Sequence, residues 1–305
     1  MLEEESFLAI DKGDYATALA KINELLHHQA ASYEIYIGKL ICLLKLGQYL
    51  EAELLCERLL EDKEDEHFYD YLLHYVMILF ESNKCHELVS YINEIEETMT
   101  IPLFYKEKYE NIYEICQTMI EAQAEELMNE IEQFVETKDD HKLWCKLNEW
   151  KQLNVQPPQR LISLLNKKDV HPIAKTVILE IVYTHRVKQV VSIEKFGETI
   201  KIKPNDLKKM DEHPIYLRTV DLLMDIEQEN PTLYAMVREL FDRYFHVHYP
   251  FVFPEEDIAK VVRALIHIGK VHLFLTRANE NDKKVVFYIN SIQISNEMYL
   301  KLILQ

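Results

Sequence analysis

Histidine pairs are the first groups in this sequence that could bind a metal ion. His246 and His248 stand two residues apart, and His27 and His28 are adjacent. A zinc site takes about three or four protein ligands, and neither pair has a further candidate ligand at a useful spacing. At the end of a helix, the His27–His28 pair would instead suit the negative end of the helix dipole. We therefore expect no metal site and no cofactor.

The cysteines, glycines and carboxylates give no sign of a catalytic centre. The five cysteines lie among apolar residues at helical spacing, where free thiols pack as small hydrophobic side chains; they are Cys42, Cys56, Cys85, Cys116 and Cys145. With 5 glycines, the chain has no phosphate-binding loop, no dinucleotide-binding motif and no Gly-x-Ser-x-Gly turn. Carboxylates are so frequent that no pair stands out as a general acid and base. We predict no catalytic residues and no enzyme activity.

A basic stretch in the second half is a weaker candidate for nucleic-acid binding. Its seven cations are Arg186, Lys188, Lys195, Lys201, Lys203, Lys208 and Lys209. Binding of single-stranded nucleic acid also needs several aromatic side chains on which successive bases stack, and the stretch contains one aromatic residue, Phe196. We expect no nucleic-acid partner. The stretch could instead face the acidic half of the chain, either in the same molecule or in a homodimer.

Net charge divides the sequence into two different halves. Residues 1–140 carry 10 Lys and Arg against 32 Asp and Glu, a net charge of −22, whereas residues 141–305 carry 24 against 20, a net charge of +4. The acidic half repels phosphate backbones and attracts basic partners over long range; alternatively, its charge serves solubility alone. The first residues lack the basic start and apolar run typical of a signal peptide, and no apolar run is long enough to suggest a span across a bilayer. We therefore expect a cytoplasmic protein that does not bind membranes.

A repeated pattern predicts the architecture of the acidic half. Apolar residues recur three and four apart in short segments, which predicts helices joined by tight turns. "GDYATAL" is followed 34 residues later by "GQYLEAE", and a period of this length is typical of stacked helix pairs. The matching positions are Gly13, Tyr15, Ala18, Gly47, Tyr49 and Ala52. On these residues the sequence resembles the tetratricopeptide repeat family.

The resemblance implies that the glycine lies in the turn between two helices and that the alanine lets them approach closely. A third unit has Asn83, Cys85 and Leu88 at the corresponding positions. The repeats are expected to cover about residues 1–98. Two further helices, Pro102–Met119 and Glu121–Thr137, are expected to extend the solenoid.

The second half reads as a helical domain that contains one β-hairpin. The two prolines of "NVQPPQ" at 154–159 predict a break between helical segments. In "QVVSIEKFGETIKIKP", apolar and polar residues alternate, which predicts two short strands with a turn near Gly197. The predicted fold is mostly α, a TPR-like α-solenoid followed by a helical C-terminal domain with a hairpin near 188–203. The predicted divisions are 1–138 for the repeats, 139–157 for a linking helix and boundary, 158–270 for the C-terminal domain and 271–305 for a β-like tail. This combination resembles an uncharacterised family of cytoplasmic TPR proteins from low-GC Gram-positive bacteria, and the likeness brings no activity with it.

The resemblance also predicts a partner-binding groove, because first helices of successive repeats line a concave surface in that family. Its floor is predicted to be Ile37, Ile41, Leu44, Leu73, Met77 and Phe80, with Glu34, Asp70 and Glu81 at the rim. An apolar floor with an acidic rim suits a basic or amphipathic protein segment or peptide. The alternative is that the next helices, around Phe104 and Tyr105, cover the floor.

Two functions follow from this sequence. The first is a non-enzymatic scaffold or adaptor that binds a protein or peptide in the groove. The alternative is a peptide-responsive regulator whose C-terminal domain contacts an effector.

Overall fold

The computed structural model describes residues 2–28, 32–276 and 280–303. Its secondary structure is predominantly helical, with one two-stranded sheet. The helices before the sheet are α1 (Leu2–Asp11), α2 (Tyr15–His28), α3 (Tyr33–Lys45), α4 (Tyr49–Leu59), α5 (Phe68–Glu81), α6 (Cys85–Thr98), α7 (Leu103–Thr137), α8 (Asp140–Leu153), α9 (Gln159–Ser163) and α10 (Pro172–Thr184). The strands are β1 (Val191–Lys195) and β2 (Glu198–Ile202), followed by α11 (Pro214–Glu229), α12 (Pro231–His248), α13 (Ile258–His272) and α14 (Lys283–Ile303). The mostly α fold with a small hairpin is confirmed.

The chain divides into two compact units, Met1–Gln123 and Ala124–Gln305. The division lies inside α7, earlier than the boundary region predicted at 139–157. Residues 103–137 form one helix instead of the two predicted there. The reason is packing: Leu127, Met128 and Ile131 of this helix are buried in the core of the second unit. Breaks in the sequence pattern, such as the prolines of 154–159, do not reveal in which hydrophobic core the residues of a continuous helix are buried.

Three helix pairs build the first unit, and each pair turns in the same way. Gly13, Gly47 and Asn83 have φ angles of +76°, +69° and +58°, in the left-handed region. After each turn residue, the next N–H donates to the carbonyl five residues earlier, as from Gln48 to Leu43 at 2.9 Å and from Lys84 to Leu79 at 2.8 Å. This is the Schellman arrangement that ends helices, and asparagine is the residue besides glycine that adopts it most readily.

The small residues of the repeat lie where the helices meet. Ala18 and Ala52 are fully buried, and Leu88 occupies the same place in the third pair, also fully buried. Gly13 and Gly47 are 34 residues apart, whereas Gly47 and Asn83 are 36 apart. The extra two residues lie in the acidic segment between α4 and α5, so the third repeat departs in sequence while it keeps the turn geometry.

One face of the hairpin packs against the interior of the second unit. β1 and β2 are antiparallel, with Ile193 opposite Ile200, and Phe196 and Gly197 form the two-residue turn with positive φ at both. Val191, Ile193 and Lys195 of β1 point inward and are buried. Lys195 therefore belongs to the interior, and the basic stretch of 186–209 has one exposed cation fewer than the sequence indicates.

The β-like tail predicted at 271–305 is wrong where the structure describes it. α13 continues to His272, and Lys283–Ile303 is a helix with Val285, Tyr288 and Ile292 buried. These residues are three and four apart, so packing on one helix face prevails over the β propensity of the valines and isoleucines. Residues 277–279 of the predicted turn "RANENDKK" lie outside the described residues.

Candidate partner-binding groove

The predicted floor residues come from α3 and α5 of the first unit. Ile37, Ile41 and Leu44 are half-buried along α3, as are Leu73 and Phe80 along α5. Met77, in the middle of α5, is 47% exposed. Residues between them, such as Leu40 and Val76, point into the core and are almost fully buried. Each helix thus has a buried side that holds the repeat together and a partly exposed apolar side.

The predicted rim residues lie at the two ends of these helices. Glu34 is in the first turn of α3 and exposed, Asp70 is in the first turn of α5 and half-buried, and Glu81 is the exposed last residue of α5. A backbone hydrogen bond to the Glu34 carboxylate lowers its pKa. Carboxylates in the first turn of a helix also interact favourably with the helix dipole. Their assignment as a binding rim stays a prediction.

Aromatic residues around Asp70 form a cluster that sequence analysis did not place at the groove. The rings of Tyr33 and His67 stack with centroids 3.9 Å apart, and those of Tyr69 and Tyr105 lie 5.2 Å apart. Burial, followed by the negative charge of Asp70, raises the pKa of Tyr33 and of Tyr105. Asp70 therefore has phenols of α3 and α7 as neighbours. We call Tyr33, His67, Asp70 and Tyr105 the aromatic–acid cluster.

The first turns of α7 leave apolar surface accessible beside this cluster. Phe104 is 61% exposed, and the Lys108 amine lies 4.0 Å from the centroid of its ring. Together with the exposure of Met77, this argues against a floor fully covered by the residues around Phe104 and Tyr105. Cation–π contact with Lys108 also shows that the face of this ring accepts a cation.

The first unit carries a strong negative charge. Residues 1–123 contain 9 Lys and Arg against 25 Asp and Glu, a net charge of −16. Several of its lysines already pair with carboxylates: Lys21 with Glu5 at 2.5 Å, Lys84 with Glu53 at 2.6 Å and Lys106 with Glu96 at 2.7 Å. The excess of carboxylates therefore remains available to a basic partner.

The described residues contain neither a candidate metal site nor a candidate membrane-spanning helix. Among residues 2–28, 32–276 and 280–303, no cluster of three His, Cys, Asp or Glu side chains could hold a metal ion. His246 and His248 are in the last turn of α12, on a helix and not on the strand that their spacing would suit. None of the described helices has the length and apolar character needed to cross a membrane.

Comparison with known proteins agrees with the repeat geometry. Residues 9–73 match the family model described as "Tetratricopeptide repeat". The chain is 29% identical over 259 residues to the TPR repeat-containing protein YsoA of Bacillus subtilis (strain 168), which covers 82% of this chain and 77% of that protein. No solved structure matches significantly. Tetratricopeptide repeats therefore build the N-terminal part of the chain, the resemblance to low-GC Gram-positive proteins is confirmed, and no catalytic family is indicated.

Proposed function

We propose that the first unit is a non-enzymatic adaptor that binds a basic, amphipathic segment of another protein in the groove formed by α3 and α5. Tetratricopeptide repeats generally mediate protein–protein interaction, and the observation that supports this occupant is the charge of the unit. The unit carries a net charge of −16 and has a partly exposed apolar floor. A helix with apolar residues on one side and Lys or Arg on the other matches both features.

Two parts of the groove would share the recognition. Met77 and the half-buried residues beside it would receive apolar side chains of the segment, and burial of one such side chain contributes about 1.5–3 kcal/mol. Asp70 and Glu34 would attract its cations, while the exposed ring of Phe104 offers a face for one of them. The acidic surface would mainly raise the association rate, so binding would weaken as salt increases.

The test uses a fluorescently labelled basic amphipathic helical peptide and a scrambled peptide of the same composition. Binding to the full chain is measured by fluorescence anisotropy at low and high salt. Met77→Ser removes floor contact without adding charge, and Leu54→Ser, at an apolar residue of α4 that is 58% exposed, is the matched control. We expect Met77→Ser to weaken binding about tenfold and Leu54→Ser to leave it unchanged.

Asp70→Asn tests the electrostatic part separately. It should weaken binding at low salt and reduce the salt dependence, with little effect at high salt. Equal affinity for the scrambled peptide, or equal losses for Met77→Ser and Leu54→Ser, would show that the groove is not the site. Circular dichroism of each variant confirms that the helices are intact.

A further inference from the structure

The second unit contains a cavity that the proposed adaptor function does not use. Its volume is about 690 Å³, within the range of small-molecule sites. α10 and α12 form its main walls, and the segment 207–211, Lys151 of α8, Tyr216 of α11 and the end of α14 complete it. All of its lining residues belong to the second unit, so it is independent of the groove.

Aromatic rings make up much of the cavity wall. The lining includes Tyr183, Tyr216, Phe245, Tyr249 and Tyr299. Neighbouring rings brace several of them: Tyr216 packs on Phe241 with centroids 5.3 Å apart, and Phe245 lies 6.0 Å from Tyr249. The Tyr249 hydroxyl donates to the Lys208 carbonyl at 2.6 Å. These contacts fix ring faces in place before any ligand arrives, which reduces the entropy lost on binding.

Many charged groups of the lining are already neutralised by a neighbour. Lys151 pairs with Glu180 at 2.7 Å, and Arg243 pairs with Glu239. The Asp242 carboxylate accepts hydrogen bonds from the Tyr216 hydroxyl at 2.8 Å and from Arg238 at 3.0 Å. At these paired positions of the cavity wall, little net charge remains to attract an ion, and the ion pairs and hydrogen bonds hold the side chains in fixed positions.

Among the charged and imidazole groups of the lining, four have no such partner among the described residues: His246, Lys208, Lys209 and the exposed carboxylate of Asp211. The Nε2 atom of His246 is buried, and no described residue makes a hydrogen bond to it. Burial, with the charges of Lys195 and Lys151, lowers the pKa of His246 to about 4, so its ring is neutral at pH 7. Lys208 and Lys209 are exposed at the edge and have no carboxylate within 4.0 Å among the described residues. A buried polar atom without a partner costs about 1–3 kcal/mol, and a ligand that reached it would recover that cost.

We propose that this cavity binds a small aromatic anion. The ring of the ligand lies against the tyrosine faces, its anionic group pairs with the amines of Lys208 and Lys209, and a polar atom of the ligand hydrogen bonds with Nε2 of His246. This arrangement engages both free lysines and the unpartnered imidazole at once. A purely apolar molecule could not pair with the lysine amines, and a free inorganic anion could not pack against the tyrosine rings.

The experiment titrates the full chain with phenyl phosphate, an aromatic anion, and follows binding by ligand-observed NMR and calorimetry. Benzoate tests a carboxylate in place of the phosphate, and inorganic phosphate and benzyl alcohol test the charge and the ring alone. The variant Lys208→Gln/Lys209→Gln removes both free cations. Lys201→Gln/Lys203→Gln makes the same charge change on exposed residues of the hairpin region that do not line the cavity.

We expect phenyl phosphate or benzoate to bind at one site, with loss of about tenfold in affinity in Lys208→Gln/Lys209→Gln and no loss in the control. The imidazole signals of His246 should shift on binding, and His246→Gln should weaken it. The proposal is wrong if neither aromatic anion binds, if inorganic phosphate or benzyl alcohol binds equally well, or if both lysine variants respond alike. Binding in the groove variant Met77→Ser should be unchanged, which separates this proposal from the adaptor function.

Discussion

The two units handle polar and charged side chains in opposite ways. The first unit repeats one helix pair and keeps most of its charged groups at or near the surface; among its described residues, Glu53 is an exception, 7% exposed and paired with Lys84. An apolar strip on α3 and α5 is left partly exposed. The second unit has no described repeat and encloses charged groups among its helices, beside a cavity. The repeated helix pairs thus leave an apolar strip accessible, whereas the second unit holds buried charged groups beside a cavity with exposed lysines at its edge.

Lys195 is the clearest example of an enclosed charge. Its ammonium donates to the Thr176 hydroxyl at 2.6 Å, to the Tyr249 carbonyl at 2.6 Å and to the Val247 carbonyl at 3.0 Å. These three acceptors match the three donors of the ammonium. Burial lowers the pKa of Lys195 well below its usual value, while the hydrogen bonds favour the charged form. Through this side chain the hairpin is joined to α10 and to the end of α12.

The largest expected effect comes from removing this charge. Lys195→Met keeps all but one atom of the side-chain length but leaves two carbonyls and a hydroxyl without their donor, so we expect a loss of about 3–5 kcal/mol in the free energy of unfolding. Urea unfolding measures the loss, and hydrogen exchange should locate it in the second unit. Lys201→Met, at an exposed position of the same hairpin, is the control. If both substitutions cost the same, the contrast between the units does not depend on this buried charge.

Protonation of each of two histidines of α12 should have the next largest effect on the second unit. Burial, followed by the charge of Lys195, lowers the pKa of His248 to about 4, and His246 has a similar value. The unfolded chain binds protons at these histidines near pH 6.5 and the folded chain does not, so the free energy of unfolding falls as pH decreases from about 6.5 to 4, by roughly 3 kcal/mol for each. Above pH 6.5 they contribute no pH dependence.

Urea unfolding at several pH values between 7 and 4 tests this expectation. His248→Gln should reduce the slope of stability against pH, whereas His272→Gln, at an exposed histidine, should not. Equal slopes in the wild type and in His248→Gln would mean that this histidine is not held neutral by the fold.

A smaller effect tests the turn geometry of the first unit. Gly47→Ala places a side chain at φ +69°, where the added Cβ meets no other atom within 4 Å, so backbone strain alone should cost about 1–2 kcal/mol. Asn83→Gly should cost nothing or stabilise slightly, because Asn83 already adopts this conformation. Thermal unfolding by circular dichroism measures both. A loss in Asn83→Gly equal to that in Gly47→Ala would contradict the equivalence of the two turns.

The repeats could be predicted from sequence because their signals are local. Gly13 and Gly47 mark turns that depend only on backbone conformation, and Ala18 and Ala52 mark close helix contacts. Asn83 made the third repeat less evident, although asparagine tolerates the same turn. The hairpin was predicted for the same reason, since alternation and Gly197 lie within a few residues of each other.

The remaining features depend on distant contacts. Tyr33 lies in α3, Tyr105 lies in α7 and His67 immediately precedes α5, and no spacing rule places them around Asp70. Lys195 appeared to be one cation of a basic surface, because its three acceptors lie 19 to 54 residues away. The cavity likewise combines residues from Lys151 to Ile303. In the tail, β-branched residues indicated strands, and only packing on a helix face decided otherwise.

The two-residue extension between α4 and α5 has a practical consequence for engineering. Glu61, Asp62, Lys63 and Glu64 are exposed, and the chain has already accommodated extra length there without losing the next turn. Short insertions cost little when both ends of a loop stay in place. A fluorophore-binding tag inserted at this loop should report on the first unit while both helices of the groove remain unmodified.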